Sequence, residues 1–195
     1  EILQKRLLDL VLAATGLIVL APLLVAIAIL IKLDSSGPIF FLQRRYGFNQ
    51  QPFRIIKFRT MRSLDDGAIV PQARRGDPRL TRIGRWLRRW NVDEIPQLFN
   101  VFTGEMSLVG PRPHAVSHDH EYRRRISLYA RRHNVKPGIT GWAQIHGLRG
   151  AIDTEEKIQQ RVEHDLFYID NWSLWLDLQI IARTVLSPAA YRNAF

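Results

Sequence analysis

Two acidic residues stand side by side at Asp93-Glu94 in a chain otherwise crowded with arginine. A carboxylate can attack phosphorus to form an acyl phosphate, and a second one beside it can hold a divalent cation against diphosphate oxygens. The surroundings suit that chemistry. An arginine-rich stretch over residues 79–90 precedes the pair, and Gly110-Pro111-Arg112-Pro113 follows it. Prolines on both sides would hold Arg112 as a rigid fork for phosphate oxygens. Phe53-Arg54-Ile55-Ile56-Lys57-Phe58-Arg59-Thr60-Met61 alternates apolar and basic residues, which predicts a strand presenting Lys57 and Arg59 on one side. Pro137-Gly138-Ile139-Thr140-Gly141 predicts a loop with exposed amides for a ligand, although it matches neither a Walker loop nor a dinucleotide fingerprint. The bland reading of the dyad is a helix start, with Asp93 as cap and Pro96 in the first turn. His114, His118 and His120, with Asp119 among them, are spaced i, i+4, i+6, which does not keep three ligands on one helical face. They are expected to be solvated or supporting residues.

These groups need a scaffold, and its first element is hydrophobic. Residues 10–31 form a run of 22 uncharged, mostly apolar residues with Pro22 near the middle. As a straight helix it would be about 33 Å long, enough to cross a bilayer core. Pro22 favours a kink there. Lys5 and Arg6 flank one end and Lys32, Arg44 and Arg45 the other, so positive charge gives no orientation. A crossing helix and one that bends at Pro22 and returns to the same face both remain open; a signal peptide does not fit, because the run is long and no cleavage pattern follows. Over residues 79–90, Leu80, Ile83, Trp86, Leu87 and Trp90 share an arc opposite Arg82, Arg85, Arg88 and Arg89. That pattern suits a surface helix on the core or one lying in the membrane interface with tryptophans at head-group depth. Leu174, Leu178, Ile181 and Val185, with Trp172 and Trp175, offer the same choice near the C-terminus.

Net charge is +10, which asks for an anionic partner: nucleic acid, anionic lipid or a phosphorylated substrate. No cysteine is present, which excludes a disulfide framework and thiolate metal sites. The chain begins at Glu1 without methionine, so an upstream domain stays open. A membrane-tethered basic module that binds nucleic acid or anionic lipid would explain charge and anchor, but not an acidic dyad among arginines. A hydrolase using Asp93 with water as acceptor is a third option.

Four motifs in order carry a family resemblance: Lys57-Phe58-Arg59-Thr60-Met61; Asp93-Glu94 followed by Pro96-Gln97-Leu98-Phe99-Asn100-Val101; Gly104-Glu105-Met106-Ser107-Leu108-Val109-Gly110-Pro111-Arg112-Pro113; and Val135-Lys136-Pro137-Gly138-Ile139-Thr140-Gly141-Trp142-Ala143-Gln144. The chain resembles the bacterial sugar transferases, the monotopic polyprenyl-phosphate phosphoglycosyl transferases, and among them the exopolysaccharide glucose type. The resemblance implies a predominantly helical α+β fold with a re-entrant N-terminal helix broken at Pro22 and interfacial amphipathic helices. The division is a membrane-embedded 1–34 and a catalytic 35–195, forming one unit on the cytoplasmic face of the bacterial inner membrane. It implies transfer of a hexose 1-phosphate, glucose first and galactose second, from a UDP-sugar to undecaprenyl phosphate with release of UMP. Asp93 would be the nucleophile, with Glu94 at Mg²⁺. Lys57, Arg59, Arg88 and Arg112 would grip phosphate, Pro137, Gly138, Thr140, Gly141 and Gln144 would hold the nucleotide, and Asp165 and Tyr168 would support substrate binding. Membrane lipids are expected partners, nucleic acid is not, and a homodimer is compatible. The sequence departs from the pattern at Ala21, where some relatives carry serine, and at Trp90-Asn91-Val92.

Overall fold

The apolar run forms most of helix α1 (Ile2–Asp34), 33 residues and thus about 50 Å of helix. It is long and apolar enough to cross a membrane. Pro22 lies inside it, with helix retained on both sides, where the sequence had suggested a break. The computed structural model describes residues 2–62, 76–150, 152 and 154–186; those parts of the expected 1–34 and 35–195 division that fall on residues 1, 63–75, 151, 153 and 187–195 lie outside the described residues.

Both ends of α1 are tied to the polar body. Near the N-terminus, Lys5 Nζ reaches Asp177 Oδ2 at 2.5 Å and Arg6 donates to the carbonyls of Val101 (2.6 Å) and Phe102 (2.8 Å). The buried Asp9 carboxylate accepts from Ser107 Oγ (3.1 Å) and Leu108 N (2.9 Å). Ala13 completes a core with Phe53, Ile55, Val101 and Met106. At the other end Ile27 and Ile31 pack with Phe58 and Leu87, and Asp34 accepts from Ile83 N at 3.0 Å. Between these attachments Ile18, Val19, Leu23 and Val25 are exposed, and Pro22 sits among them.

After α1 the chain turns into an antiparallel hairpin, β1 (Phe40–Tyr46) and β2 (Pro52–Phe58), in register from Phe40 opposite Phe58 to Tyr46 opposite Pro52. Helix α2 (Arg82–Arg89) starts at Thr81, whose hydroxyl accepts from Gly84 N at 2.9 Å. Gly84 is required there: a Cβ would lie 2.1 Å from the Thr60 carbonyl oxygen. The apolar arc expected over residues 79–90 is split. Leu87 is buried, whereas Trp86 and Trp90 are 49 % and 59 % exposed, so one short helix both closes the core and displays two tryptophans.

Helix α3 (Gln97–Thr103) is followed by β3 (Ser107–Val109), α4 (Val116–Arg125), β4 (Gly138–Thr140), α5 (Trp142–Ile145), α6 (Glu155–Asp170) and α7 (Leu174–Leu186). Strands β3 and β4 pair in parallel, Ser107 opposite Gly138 and Val109 opposite Thr140. On α7 the buried side is Asp177 and Ile180, while Trp175, Leu178 and Val185 face outward. Among the described residues the architecture is predominantly helical, with two small two-stranded sheets.

Candidate active site

Asp93 and Glu94 lie in a single 3-10 turn (Val92–Glu94), entered through Asn91 in the left-handed region at φ 55°. The expected capping role is not what the turn does: α3 begins after Pro96, and Asp93 makes no cap. Both acids are buried, at 7 % and 6 % exposure. They differ in partners. Among the described residues no hydrogen bond engages the Asp93 carboxylate, and its oxygens keep access to solvent. Glu94 is held by three cations: Lys57 Nζ to Oε1 (2.8 Å), Arg112 bidentate to both oxygens (Nη1 to Oε2 at 3.0 Å), and Arg149 Nη2 to Oε2 (2.7 Å).

Each cation arrives on a different element. Lys57 comes from β2, Arg112 from the segment after β3, and Arg149 from the turn after α5. Arg88, on α2, donates from Nε to Thr60 Oγ1 at 2.9 Å and lies near enough for its charge to act on Asp93. Arg149 is the residue that the sequence reading missed. It stands in a His-Gly-Leu-Arg-Gly stretch with no periodicity to flag it, and only the fold brings it to Glu94.

The segment carrying Arg112 is fixed at three successive carbonyls. Pro111 O accepts from Gly138 N (3.0 Å), Arg112 O from Arg132 Nη2 (2.7 Å) and Pro113 O from Arg45 Nη1 (2.8 Å). Arg132 is itself paired with Asp165 at 2.7 Å. Asp165 therefore acts on the site through Arg132 and Arg112, not by reaching Glu94's cluster. The Pro137–Gly141 stretch also differs from expectation: its Gly138 amide is consumed by Pro111, and Pro137 O accepts from Ser107 N at 2.9 Å. Gly138 and Gly141 permit backbone contact with Gly110, since a Cβ would come within 2.1 Å of Gly110 N or 2.4 Å of Gly110 O.

Other expected site residues lie elsewhere. Arg59 does not share a side with Lys57; buried at the C-terminal end of α1, it donates to Ser35 O (2.7 Å) and Ser36 O. There it offsets the negative end of the helix dipole. Tyr168 donates to Asp177 (2.7 Å) and lies 3.2 Å from Lys5 Nζ, which makes it part of the latch on α1. Thr140 is bonded to Thr184 (2.6 Å), and Gln144 to Ile139 O (2.8 Å). His114 is buried 2.6 Å from the Tyr129 hydroxyl. Burial, then Arg132 and Arg161, push its pKa well below the ordinary value, so it is a neutral supporting residue. Among the described residues no cluster of three metal-ligating side chains occurs.

The family model for bacterial sugar transferases matches residues 1–190. The chain belongs to the bacterial sugar transferase family. Its relatives include the UDP-glucose:undecaprenyl-phosphate glucose-1-phosphate transferase of Caulobacter vibrioides, 52 % identical over 99 % of this chain and 72 % of that protein. The protein of the same name from Escherichia coli is 50 % identical over 99 % of the chain and 42 % of its own length. The exopolysaccharide production protein PSS of Rhizobium leguminosarum is 46 % identical over the whole of both. The chain thus spans under half of the E. coli relative and all of the Rhizobium one.

In this sugar transferase the two acids are driven apart electrostatically. Burial and the neighbouring Glu94 raise the Asp93 pKa, only partly offset by Lys57, Arg88 and Arg149. Burial also pushes Glu94 upward, but Arg112, Lys57 and Arg149 outweigh it and hold that carboxyl well below its usual range. Lys57 is lowered by burial to about 8, against the pull of Glu94 and with repulsion from Arg112. The pH profile of donor turnover is therefore expected to be bell-shaped. The acid limb is protonation of Asp93, above the ordinary aspartate range; the alkaline limb is loss of the Lys57 charge near pH 8. Lys57→Arg should remove the alkaline limb. The stability sign is opposite. Between about 8 and the ordinary 10.5 the folded chain holds fewer protons at Lys57 than the unfolded one, so Lys57 adds stability as pH rises through that window. A parallel fall of activity and melting temperature, unchanged in Lys57→Arg, would refute the assignment.

Magnesium on Glu94 does not fit the resting arrangement of these residues. A carboxylate offers about four acceptor positions, and Glu94's four hydrogen bonds from Lys57, Arg112 and Arg149 occupy them. A divalent cation there would also face three positive side chains at hydrogen-bond range.

Proposed function

We propose that this sugar transferase moves glucose 1-phosphate from UDP-glucose to undecaprenyl phosphate through a covalent intermediate on Asp93. The observation that carries the reading is an unengaged, buried Asp93 carboxylate beside a cluster of half-buried cations. Two carboxylates among Lys57, Arg88, Arg112 and Arg149 leave an excess of positive charge suited to a diphosphate bridge. An Asp93 oxygen attacks the phosphorus bearing the sugar, the bond to the bridging oxygen breaks, and UMP leaves with that electron pair. An oxygen of undecaprenyl phosphate then attacks the same phosphorus. The acyl-phosphate bond breaks, Asp93 is restored and undecaprenyl-diphospho-glucose departs. The choice of glucose rests on the names of the relatives. The test is UMP release by the purified chain from a panel of UDP-sugars, with and without undecaprenyl phosphate. Glucose should be preferred and the lipid phosphate required for multiple turnovers; turnover with water alone would make the chain a hydrolase.

A lipid acceptor keeps its phosphate at head-group level, so the site must sit there too. We read α1 as entering and leaving the bilayer on the cytoplasmic face. Lys5, Arg6 and Asp9 at one end and Asp34 at the other are bonded to a single polar body. A straight crossing would separate those ends by about 30 Å of hydrocarbon. The exposed apolar stretch around Pro22 is the part left to dip into lipid, with Trp86, Trp90 and Trp175 at the interface. Single cysteines at residues 3 and 7 should label only from the cytoplasmic side; periplasmic labelling would rule re-entry out.

A further inference from the structure

Glu94 is saturated, and by the very groups that a phosphorylated donor would need. Its oxygens take one hydrogen bond from Lys57, two from Arg112 and one from Arg149, all from side chains that are largely buried. A guanidinium committed to a bidentate carboxylate cannot present the same fork to phosphate. On the transfer reading given above, the cations must therefore change partners when the donor enters.

We propose that Glu94 is an internal anionic placeholder: it occupies the phosphate-gripping cations in the resting enzyme and is displaced from them by the donor diphosphate. This deepens the transfer reading and rests on it. Three features fit. The backbone around Arg112 is fixed at three carbonyls, so its guanidinium can change partner by side-chain rotation while its base stays still. Without Glu94, Lys57, Arg112 and Arg149 would confront one another unpaired in a buried space, so the carboxylate keeps the empty site folded. Displacement also discriminates. A diphosphate has the charge and oxygen count to compete for several cations at once, while a lone phosphate has less of both, so return of Glu94 helps expel UMP after the first transfer.

A site blocked by its own side chain binds with an affinity reduced by the fraction of time it is open. Replacing Glu94 by glutamine should therefore tighten anion binding while damaging turnover. Calorimetric titration of the purified full chain in detergent, with inorganic diphosphate and a chelator in place of metal, tests this. Glu94→Gln is expected to bind about tenfold tighter than wild type. Asp93→Asn removes the same charge one residue away without freeing Lys57, Arg112 or Arg149, and should stay within about threefold of wild type. Equal gains in the two variants would reduce the effect to net charge and overturn the placeholder, as would no gain in Glu94→Gln. Where Glu94→Gln fails to melt cooperatively, Glu94→Asp decides: it keeps the charge on an arm one methylene shorter that cannot hold all four bonds, and its diphosphate affinity should rise several-fold; unchanged affinity overturns the proposal. UMP release by wild type with no such gain sinks the placeholder alone. Failure of wild type to release UMP from any UDP-sugar sinks the transfer reading, and the titration still decides whether Glu94 is displaced by diphosphate.

Discussion

Asp93→Asn should lose turnover by a factor on the order of 10⁴ or more, the scale seen when a nucleophile is removed and only binding and charge stabilisation are left. The substitution is nearly isosteric, and no hydrogen bond among the described residues depends on the Asp93 oxygens, so the 3-10 turn and α3 should survive it. What it removes is the atom proposed to bond phosphorus. An amide oxygen is a far weaker nucleophile, and its displacement product would not be an acyl phosphate. In the resting site Glu94 is held by four hydrogen bonds from Lys57, Arg112 and Arg149, which lower its basicity, whereas the Asp93 oxygens are unengaged. Two measurements check the result: UMP release with both substrates, and the intact mass of protein incubated with UDP-glucose alone. Wild type should gain one hexose phosphate and Asp93→Asn none. Substantial turnover by the purified variant, or an adduct at another residue, would remove Asp93 from the role.

The raised pKa of Asp93 has a mechanistic counterpart. A carboxylate resting in the ordinary range would be a poor base and a poor nucleophile toward phosphorus. Burial and the fixed negative charge of Glu94 raise its affinity for a positive centre. On the proposed transfer Glu94 would act twice, by setting its neighbour's basicity and by holding the cations until the donor arrives.

How much of this was legible in the chain depends on whether a residue's partner is local. The membrane helix could be read because hydrophobicity over residues 10–31 is a property of consecutive residues. The dyad could be read because its two acids are adjacent and its cationic surroundings lie nearby in sequence. Arg59 was misread for the opposite reason. Strand alternation put it with Lys57, but β2 ends at Phe58, and the next residue is captured by the carbonyls at the end of α1, 23 or 24 positions earlier. Gly138 and Gly141 looked like a ligand loop because glycine marks close approach without saying to what; the approach is to Gly110. Arg149 reaches Glu94 across 55 residues, and Lys5 reaches Asp177 across 172, separations for which sequence pattern carries no signal. The tryptophans of α2 were placed on one arc with Leu87 by a regular 100° step, yet the core takes Leu87 and leaves them outside, because a helix of 8 residues cannot bury a stripe wider than the surface it meets.

Arg112→Ala should lower donor kcat/KM by about 10² to 10³, the cost of losing one preorganised charge donor at a site where negative charge develops. Arg112 supplies two of the hydrogen bonds on Glu94 and stands on backbone held by Gly138, Arg132 and Arg45, so the base of the fork is fixed before substrate arrives and only its side chain has to change partner. Truncation leaves that backbone intact and removes only the fork. Arg112→Lys separates charge from geometry: lysine restores a point charge without the planar pair of donors, so its loss should fall between alanine and wild type. If lysine were no better than alanine, the bidentate geometry would account for the whole effect; if it matched wild type, charge alone would. A third comparison tests the support. Arg132→Lys cannot reproduce both the Asp165 pair and the bond to Arg112 O, so it should lower kcat/KM in the same direction as Arg112→Lys. The double variant should then cost less than the two single losses multiplied together, because both disturb one contact. Full multiplicative loss would mean that Arg132 acts elsewhere in the reaction, and that the Arg112 fork does not depend on the carbonyl beneath it.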